Sequence, residues 1–143
     1  MPIVVEATTE DAYQAWVAEK KSAMAAETVA AGREWQRDEL MARGEEVYLA
    51  SCAACHQVDG RGVPNAFPAI RGSKVATGDL KHHLQVVLNG RPDTAMRSFA
   101  GELSDVELAA VVTYQRNAFG NDAGDLVQPS MIAASRSMGS GGI

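Results

Sequence analysis

Four stretches of the chain repeat hydrophobic residues at the spacing of an amphipathic α-helix, and turn-forming residues separate them. The predicted helices cover about residues 9–31, 42–51, 79–88 and 105–119. The last one has the clearest start, because Ser104 and Glu107 match a capping box ahead of a run of apolar side chains. The pattern therefore predicts a mainly helical chain.

The segments outside these helices have signatures of their own. Pro2–Ala7 is rich in β-branched residues and predicts a short strand. Arg33–Glu39 is highly charged, which is typical of a solvated connector. Beyond Asp122, serine, glycine and alanine dominate without periodicity, so residues 122–143 are expected to form a flexible tail.

Composition narrows the class of protein. The 143 residues suffice for one domain with flanking segments, and 46% hydrophobic with 22% charged residues is typical of a soluble globular protein. The net charge of −5 argues against nucleic-acid binding. No apolar stretch approaches the ~20 residues that cross a bilayer, and no signal-peptide pattern is visible, so no direct membrane insertion is expected.

One short string carries chemistry: Cys52 and Cys55 stand three positions apart, and His56 follows directly. Two thiols at this spacing reach the two vinyl groups of one haem, and the adjacent imidazole then ligates the iron. A thioredoxin-like motif would need a βαβ context, and a structural zinc site would need about four ligands. The string therefore predicts one covalently attached haem c.

Haem iron in an electron carrier needs a second axial ligand. Met96 is favoured because it lies 40 residues after His56, in a loop between two apolar helices. A loop can bring a thioether to the haem face opposite a helix-borne histidine. Of the competing candidates, Met24 and Met41 are expected in the core, and Met131 and Met138 in the tail. His82 and His83 are expected on a solvated helix face, and Met1 is the first residue of the sequence.

Residues 44–121 resemble a small class I cytochrome c, which implies an all-α fold around one covalent haem c. Four segments carry the resemblance: Gly44…Tyr48 and Val111…Tyr114, which look like the family's two contacting terminal helices; Pro68–Gly72, which resembles Pro-Asn-Leu-His-Gly; and Pro92…Met96, which resembles Pro-Gly-Thr-Lys-Met. Asp93 departs from this last pattern, since the family has glycine there.

The same resemblance implies roles around the haem. The carbonyl of Pro68 would accept the Nδ1 proton of His56, with Pro64 as a competing acceptor. Ile70 would pack on the haem. The hydroxyl of Thr94 would donate a hydrogen bond to a haem propionate.

A second resemblance concerns the start of the chain. Met1–Ala7 followed by Tyr13–Val17 is similar to the end of the copper-binding domain of cytochrome c oxidase subunit II, in which the position of Met1 is a copper ligand. Thr94–Met96 and Leu103–Asn117 resemble the haem domain fused to that subunit in some bacterial oxidases. The two resemblances divide the chain into residues 1–31, a copper-domain remnant; 32–43, a linker; 44–121, the cytochrome c domain; and 122–143, the tail.

Together they imply one-electron transfer, with His56 as the proximal and Met96 as the distal ligand. Electrons would pass from a soluble donor protein toward the copper centre of the oxidase, whose other domains and subunits are the expected partners. The site would face the periplasm or the outer side of the cytoplasmic membrane, and the domain would not be an enzyme on its own. Two alternatives stay open: a free-standing carrier cytochrome c, and a haem enzyme or gas sensor whose Met96 is displaced.

Overall fold

The computed structural model describes residues 5–139, and within that range it contains seven α-helices and no strand. The helices are α1 (Glu10–Ala31), α2 (Arg37–Ser51), α3 (Ala53–His56), α4 (Lys74–Thr77), α5 (Leu80–Asn89), α6 (Asp105–Asn117) and α7 (Pro129–Gly139). The predicted all-α class is confirmed. No helix of this part of the chain is long and apolar enough to cross a membrane.

The first helix lies outside the core. Thr9 caps α1 by accepting a 3.3 Å hydrogen bond from the amide of Ala12, and Gly32 ends it. None of its residues, all of which the structure describes, is buried. The strand predicted before it is absent over residues 5–7, because an extended segment without a partner strand has no ladder to join; residues 2–4 lie outside the described range.

The crossing of α2 and α6 organises the core. A Cβ atom placed on Gly44 would lie 2.2 Å from the carbonyl oxygen of Ala110 and 2.6 Å from Cβ of Tyr114. Only glycine therefore permits the two helices to approach this closely. The predicted contact between Gly44…Tyr48 and Val111…Tyr114 is present in the fold.

Three aromatic rings close one end of this crossing. Tyr48 of α2 is fully buried, and its ring centroid lies 5.7 Å from that of Tyr114 and 5.0 Å from that of Phe119. These separations fall in the range of favourable aromatic pairs. The Tyr48 hydroxyl donates a 2.7 Å hydrogen bond to the carbonyl of Gln57, so the cluster also fixes the chain just after His56.

The connector before α2 is ordered by a tryptophan. The Trp35 amide donates to the side-chain oxygen of Gln128 at 2.9 Å, and the Gln128 amide donates back to the Trp35 carbonyl at 3.0 Å. Gln36 and Glu39 then form a capping box, so α2 begins at Arg37, five residues before the predicted start. Glu39 is thus part of a helix cap, in a segment for which the sequence predicted a solvated connector.

The prediction of a flexible tail is wrong for residues 127–139. Val127 and Ile132 are fully buried, and α7 packs against α5 and α6. Arg136 reinforces this packing by donating to the carboxylate of Asp105 at 2.6 Å and to the carbonyl of Leu103 at 2.9 Å. Three side chains are buried here, those of Val127, Pro129 and Ile132, and in a run of small residues they produce too weak a periodic signal to predict a helix.

Candidate haem site

A single turn of chain presents the two thiols and the imidazole. Cys52 ends α2 and begins α3, and its carbonyl accepts a 3.0 Å hydrogen bond from the amide of His56. Cys52 and Cys55 are both half-buried and form no disulfide. The three reactive side chains are therefore held by backbone geometry that continues from the packed helix α2.

The orientation of His56 is set by one backbone acceptor. The side chain is 8% exposed, and its Nδ1 lies 2.8 Å from the carbonyl oxygen of Pro68. Because a carbonyl oxygen only accepts, the imidazole proton sits on Nδ1 and Nε2 keeps its lone pair for a metal. Of the two prolines proposed as partners, the structure brings Pro68 and not Pro64 to this ring.

The carbonyl of one glycine organises the loop between His56 and α4. The carbonyl of Gly60 accepts hydrogen bonds from the amides of Ile70 at 2.8 Å and Arg71 at 2.9 Å. Asn121, a buried residue that the sequence did not single out, donates to the Ile70 carbonyl at 3.1 Å and accepts from the Gly72 amide at 2.8 Å. Half-buried Ile70 thus packs against the core, and both its amide and its carbonyl are held by hydrogen bonds.

The surroundings of Cys52 keep its thiol protonated. Burial raises the pKa of the Cys52 thiol to about 11, while a hydrogen bond from the Gln115 amide acts in the opposite direction. A protonated thiol is a poor redox nucleophile. Across the described residues, 5–139, no group of three or more His, Cys, Asp or Glu side chains could hold a metal ion. Within residues 5–139 the structure thus contains neither the four ligands of a structural zinc site nor the βαβ context of a thioredoxin-like motif.

Met96 lies in a loop of tight turns. Its carbonyl accepts a 2.9 Å hydrogen bond from the Arg91 amide, and a Cβ on Gly90 would lie 2.5 Å from that same oxygen. Asp93 adopts a φ of 61°, the left-handed conformation that the family's glycine would favour. The Met96 side chain is half-buried and packs against the core cluster.

The hydroxyl of Thr94 is used within this loop. It donates to the Arg91 carbonyl at 2.9 Å and accepts from the Met96 amide at 3.1 Å. Since a hydroxyl has a single proton, a bond to a propionate would replace the one to Arg91. The structure assigns Thr94 first to shaping the turn before Met96; the propionate contact stays a prediction.

Among the competing ligands, His83 differs most from expectation. A solvated helix face was predicted for it, yet it is only 2% exposed, because Gln115 of α6 offers a polar partner 2.9 Å from its Nε2. Burial lowers the pKa of His83 to about 4. His82 is exposed as predicted, and so is the side chain of Met138. The expectation that Met24 packs in the core is wrong: it is 71% exposed, because α1 buries none of its residues.

The residues present fit a haem c. Cys52 and Cys55 would carry the thioether links, Nε2 of His56 would ligate the iron, and the partly buried loop methionine Met96 supplies a second donor of the kind that haem iron accepts. Half-buried Ile70 and Leu80 pack against the same core cluster as Cys52 and Met96.

Comparisons with known proteins agree with this chemistry. The family model described as "Cytochrome C oxidase, cbb3-type, subunit III" matches residues 39–114. The cytochrome c subunit of the alcohol dehydrogenase (quinone) of Gluconobacter oxydans is 39% identical over 106 residues, which cover 67% of this chain and 22% of that protein. Cytochrome c-552 of Thermus thermophilus is 34% identical over 94 residues, covering 56% of this chain and 70% of that protein.

A further relative is the cytochrome c subunit of gluconate 2-dehydrogenase of Pantoea cypripedii, which is 31% identical over 113 residues covering 71% of this chain and 25% of that protein. The chain thus spans about a quarter of the length of the dehydrogenase subunits it matches. The matched residues begin in α2, pass through Cys52, Cys55 and His56, and end in α6. The chain belongs to this family of cytochrome c domains, electron carriers that bind haem c covalently.

Proposed function

We propose that this chain carries single electrons on a haem c that is attached to Cys52 and Cys55 and ligated by His56 and Met96. The observation that carries the proposal is the 2.8 Å contact between Nδ1 of His56 and the Pro68 carbonyl. That contact leaves Nε2 free beside two thiols that are spaced for a haem. When bound, the haem supplies a one-electron couple between ferric and ferrous iron.

The protein residues then set the properties of that couple. The Pro68 carbonyl fixes the imidazole tautomer and raises its basicity as a ligand. His56 and Met96 would together hold the iron, and this pair of donors would raise the reduction potential. Because no position remains for a substrate, the domain acts as a carrier and the alternative of a gas sensor is disfavoured.

Haem attachment is tested by replacing the thiols. Cys52→Ser and Cys55→Ser should each leave one thioether link, and the double variant should carry no covalent haem. A denaturing gel stained for haem measures this directly. Haem staining of the double variant would refute the proposal, while retention of haem by each single variant is the matched control.

Axial ligation is tested at Met96. Met96→Ala should remove the ferric iron–thioether charge-transfer band, lower the reduction potential and open the iron to added ligands, since a thioether donor is lost. His82→Ala, at an exposed position, should leave the spectrum unchanged. The assignment is wrong if Met96→Ala keeps the charge-transfer band.

For its place in a complex, we infer that the chain is the haem domain of a cytochrome c oxidase subunit II, on the periplasmic or outer face of the membrane. It would pass electrons from a soluble donor to the copper centre of that subunit. The resemblance of residues 1–7 and 13–17 to the end of the copper domain supports this. So does α1, whose Tyr13 and Trp16 stack at 6.1 Å yet stay half-exposed ahead of the cytochrome c domain.

A dehydrogenase complex is the second candidate, because the relatives from Gluconobacter and Pantoea are dehydrogenase subunits. A tagged copy of the chain, purified from membranes of its source with its partners, separates the two. Copper together with oxygen consumption from a reduced soluble cytochrome supports the oxidase. Quinone or dye reduction by an alcohol or sugar acid, without copper, supports the dehydrogenase and refutes the oxidase.

A further inference from the structure

A buried polar relay connects α5, α6 and the first haem-anchoring thiol. Gln115 of α6 is 3% exposed, and its side-chain amide nitrogen lies 3.7 Å from Sγ of Cys52. Its amide oxygen lies 2.9 Å from Nε2 of His83 on α5. Nδ1 of His83 is buried and makes no hydrogen bond within residues 5–139.

The chemistry of the Cys52 sulfur determines which group donates and which accepts in each hydrogen bond of this relay. Once Cys52 is a thioether it has no proton and can only accept, so the amide N–H of Gln115 must face it. The amide oxygen then faces His83, which must donate from Nε2. The Nε2–H tautomer leaves the lone pair on Nδ1, the nitrogen for which the described residues offer no partner.

We infer that Gln115 is a positioning residue that donates a hydrogen bond to the Cys52 thioether sulfur, and that His83 holds its amide in the required orientation. The inference rests on the proposed haem attachment at Cys52. The bond withdraws electron density from the haem edge and so favours the ferrous state. Arg116 of α6, Asp125 beyond the end of α6, and His82 of α5 are the charged or titratable neighbours of His83, and burial keeps the ring neutral at pH 7.

The test measures the reduction potential of the holoprotein. Gln115→Met keeps a similar volume but has no N–H donor, so the ratio of ferrous to ferric protein at a fixed ambient potential should fall roughly two- to tenfold, the range expected for one neutral hydrogen bond. His83→Met should shift the ratio in the same direction, and the double variant should shift it no further than Gln115→Met alone.

Two controls separate positioning from packing. His83→Gln can place a donor where Nε2 of the imidazole lies, and it should restore the parental potential. Thr113→Val removes another buried hydrogen bond of α6, from the amide of Val127, without touching Cys52, so it should lower stability and leave the potential unchanged.

The outcomes are distinguishable. An unchanged potential in Gln115→Met with haem still attached at Cys52 refutes this inference and leaves the proposed electron transfer intact. A His83→Gln variant that shifts as far as His83→Met refutes the orienting role of His83. A parental protein that carries no covalent haem would instead refute the proposed function.

Discussion

The close approach of α2 and α6 leaves no room for a side chain at Gly44. Gly44→Ala would place a methyl group 2.2 Å from the Ala110 carbonyl oxygen and 2.6 Å from Cβ of Tyr114. Ordinary contacts of this kind are longer by more than ~1 Å. Both opposing atoms belong to rigid parts of α6, so no flexible side chain can move aside and the helices must separate.

The magnitude follows from two opposed effects. Alanine is favoured over glycine within a helix by about 1 kcal/mol. Overpacking of a core costs typically 1–3 kcal/mol, and contact with backbone places this variant at about the upper end. The net loss in the free energy of unfolding is therefore ~2 kcal/mol. For a chain of this size the midpoint of thermal unfolding should fall by roughly 6 °C or more.

Denaturant unfolding of the oxidised holoprotein measures the effect, and Gly101→Ala is the matched control. Gly101 has no heavy atom within 4 Å of the position of its Cβ and no left-handed φ. Its replacement should be neutral or stabilise by up to ~1 kcal/mol, because alanine restricts the unfolded chain. If Gly44→Ala proves as stable as the parental protein, the argument from helix proximity is refuted.

Two further predictions concern residues that the sequence placed wrongly. Ile132→Ala should cost about 2–5 kcal/mol because Ile132 is fully buried, while the neighbouring Met131→Ala should cost under ~1 kcal/mol; equal losses by denaturant unfolding would contradict the packing of α7. His83 should make stability depend on pH: its folded pKa is lowered to about 4, so the unfolded chain binds more protons between pH 4 and 6.5, and stability is full above pH 6.5 and falls as pH drops toward 4. The unfolding free energy of the parental protein minus that of His83→Gln should therefore fall by up to about 3 kcal/mol as the pH drops from 6.5 to 4. A difference that does not change with pH would contradict the burial of a neutral ring.

The parts of the site that could be predicted are those encoded within a few residues. The spacing of Cys52, Cys55 and His56 is fixed by the covalent geometry of haem attachment, so it is visible without any knowledge of the fold. The capping box of Ser104 and Glu107 is equally local, and the structure has both of its hydrogen bonds. The sequence was sufficient for features whose interacting residues lie within a few positions of each other.

Long-range polar contacts were not predictable in this way. His83 lies at the edge of the apolar arc of its helix, and a histidine there is solvated unless another element supplies a partner. That partner is Gln115, 32 positions later in the sequence. The order of α7 depends similarly on Arg136 reaching Asp105, 31 positions away, and on the burial of Val127, Pro129 and Ile132, whose periodicity is weak.

Three residues whose contacts the sequence analysis missed lie at the C-terminal end of α6 and in the turn that follows it. Gln115 contacts Cys52, and Arg116 donates to the carbonyls of Ala76 at 3.1 Å and Gly78 at 2.8 Å. Buried Asn121 holds the loop that carries Ile70. Cys52, the loop that carries Ile70, and the end of α4 are thus tied to one region of the chain through hydrogen bonds that leave no periodic trace in the sequence. Because Gly44 sets the distance of α2 from this same helix, and α2 ends at Cys52, a change at Gly44 should disturb the contact between Gln115 and Cys52 as well as the core.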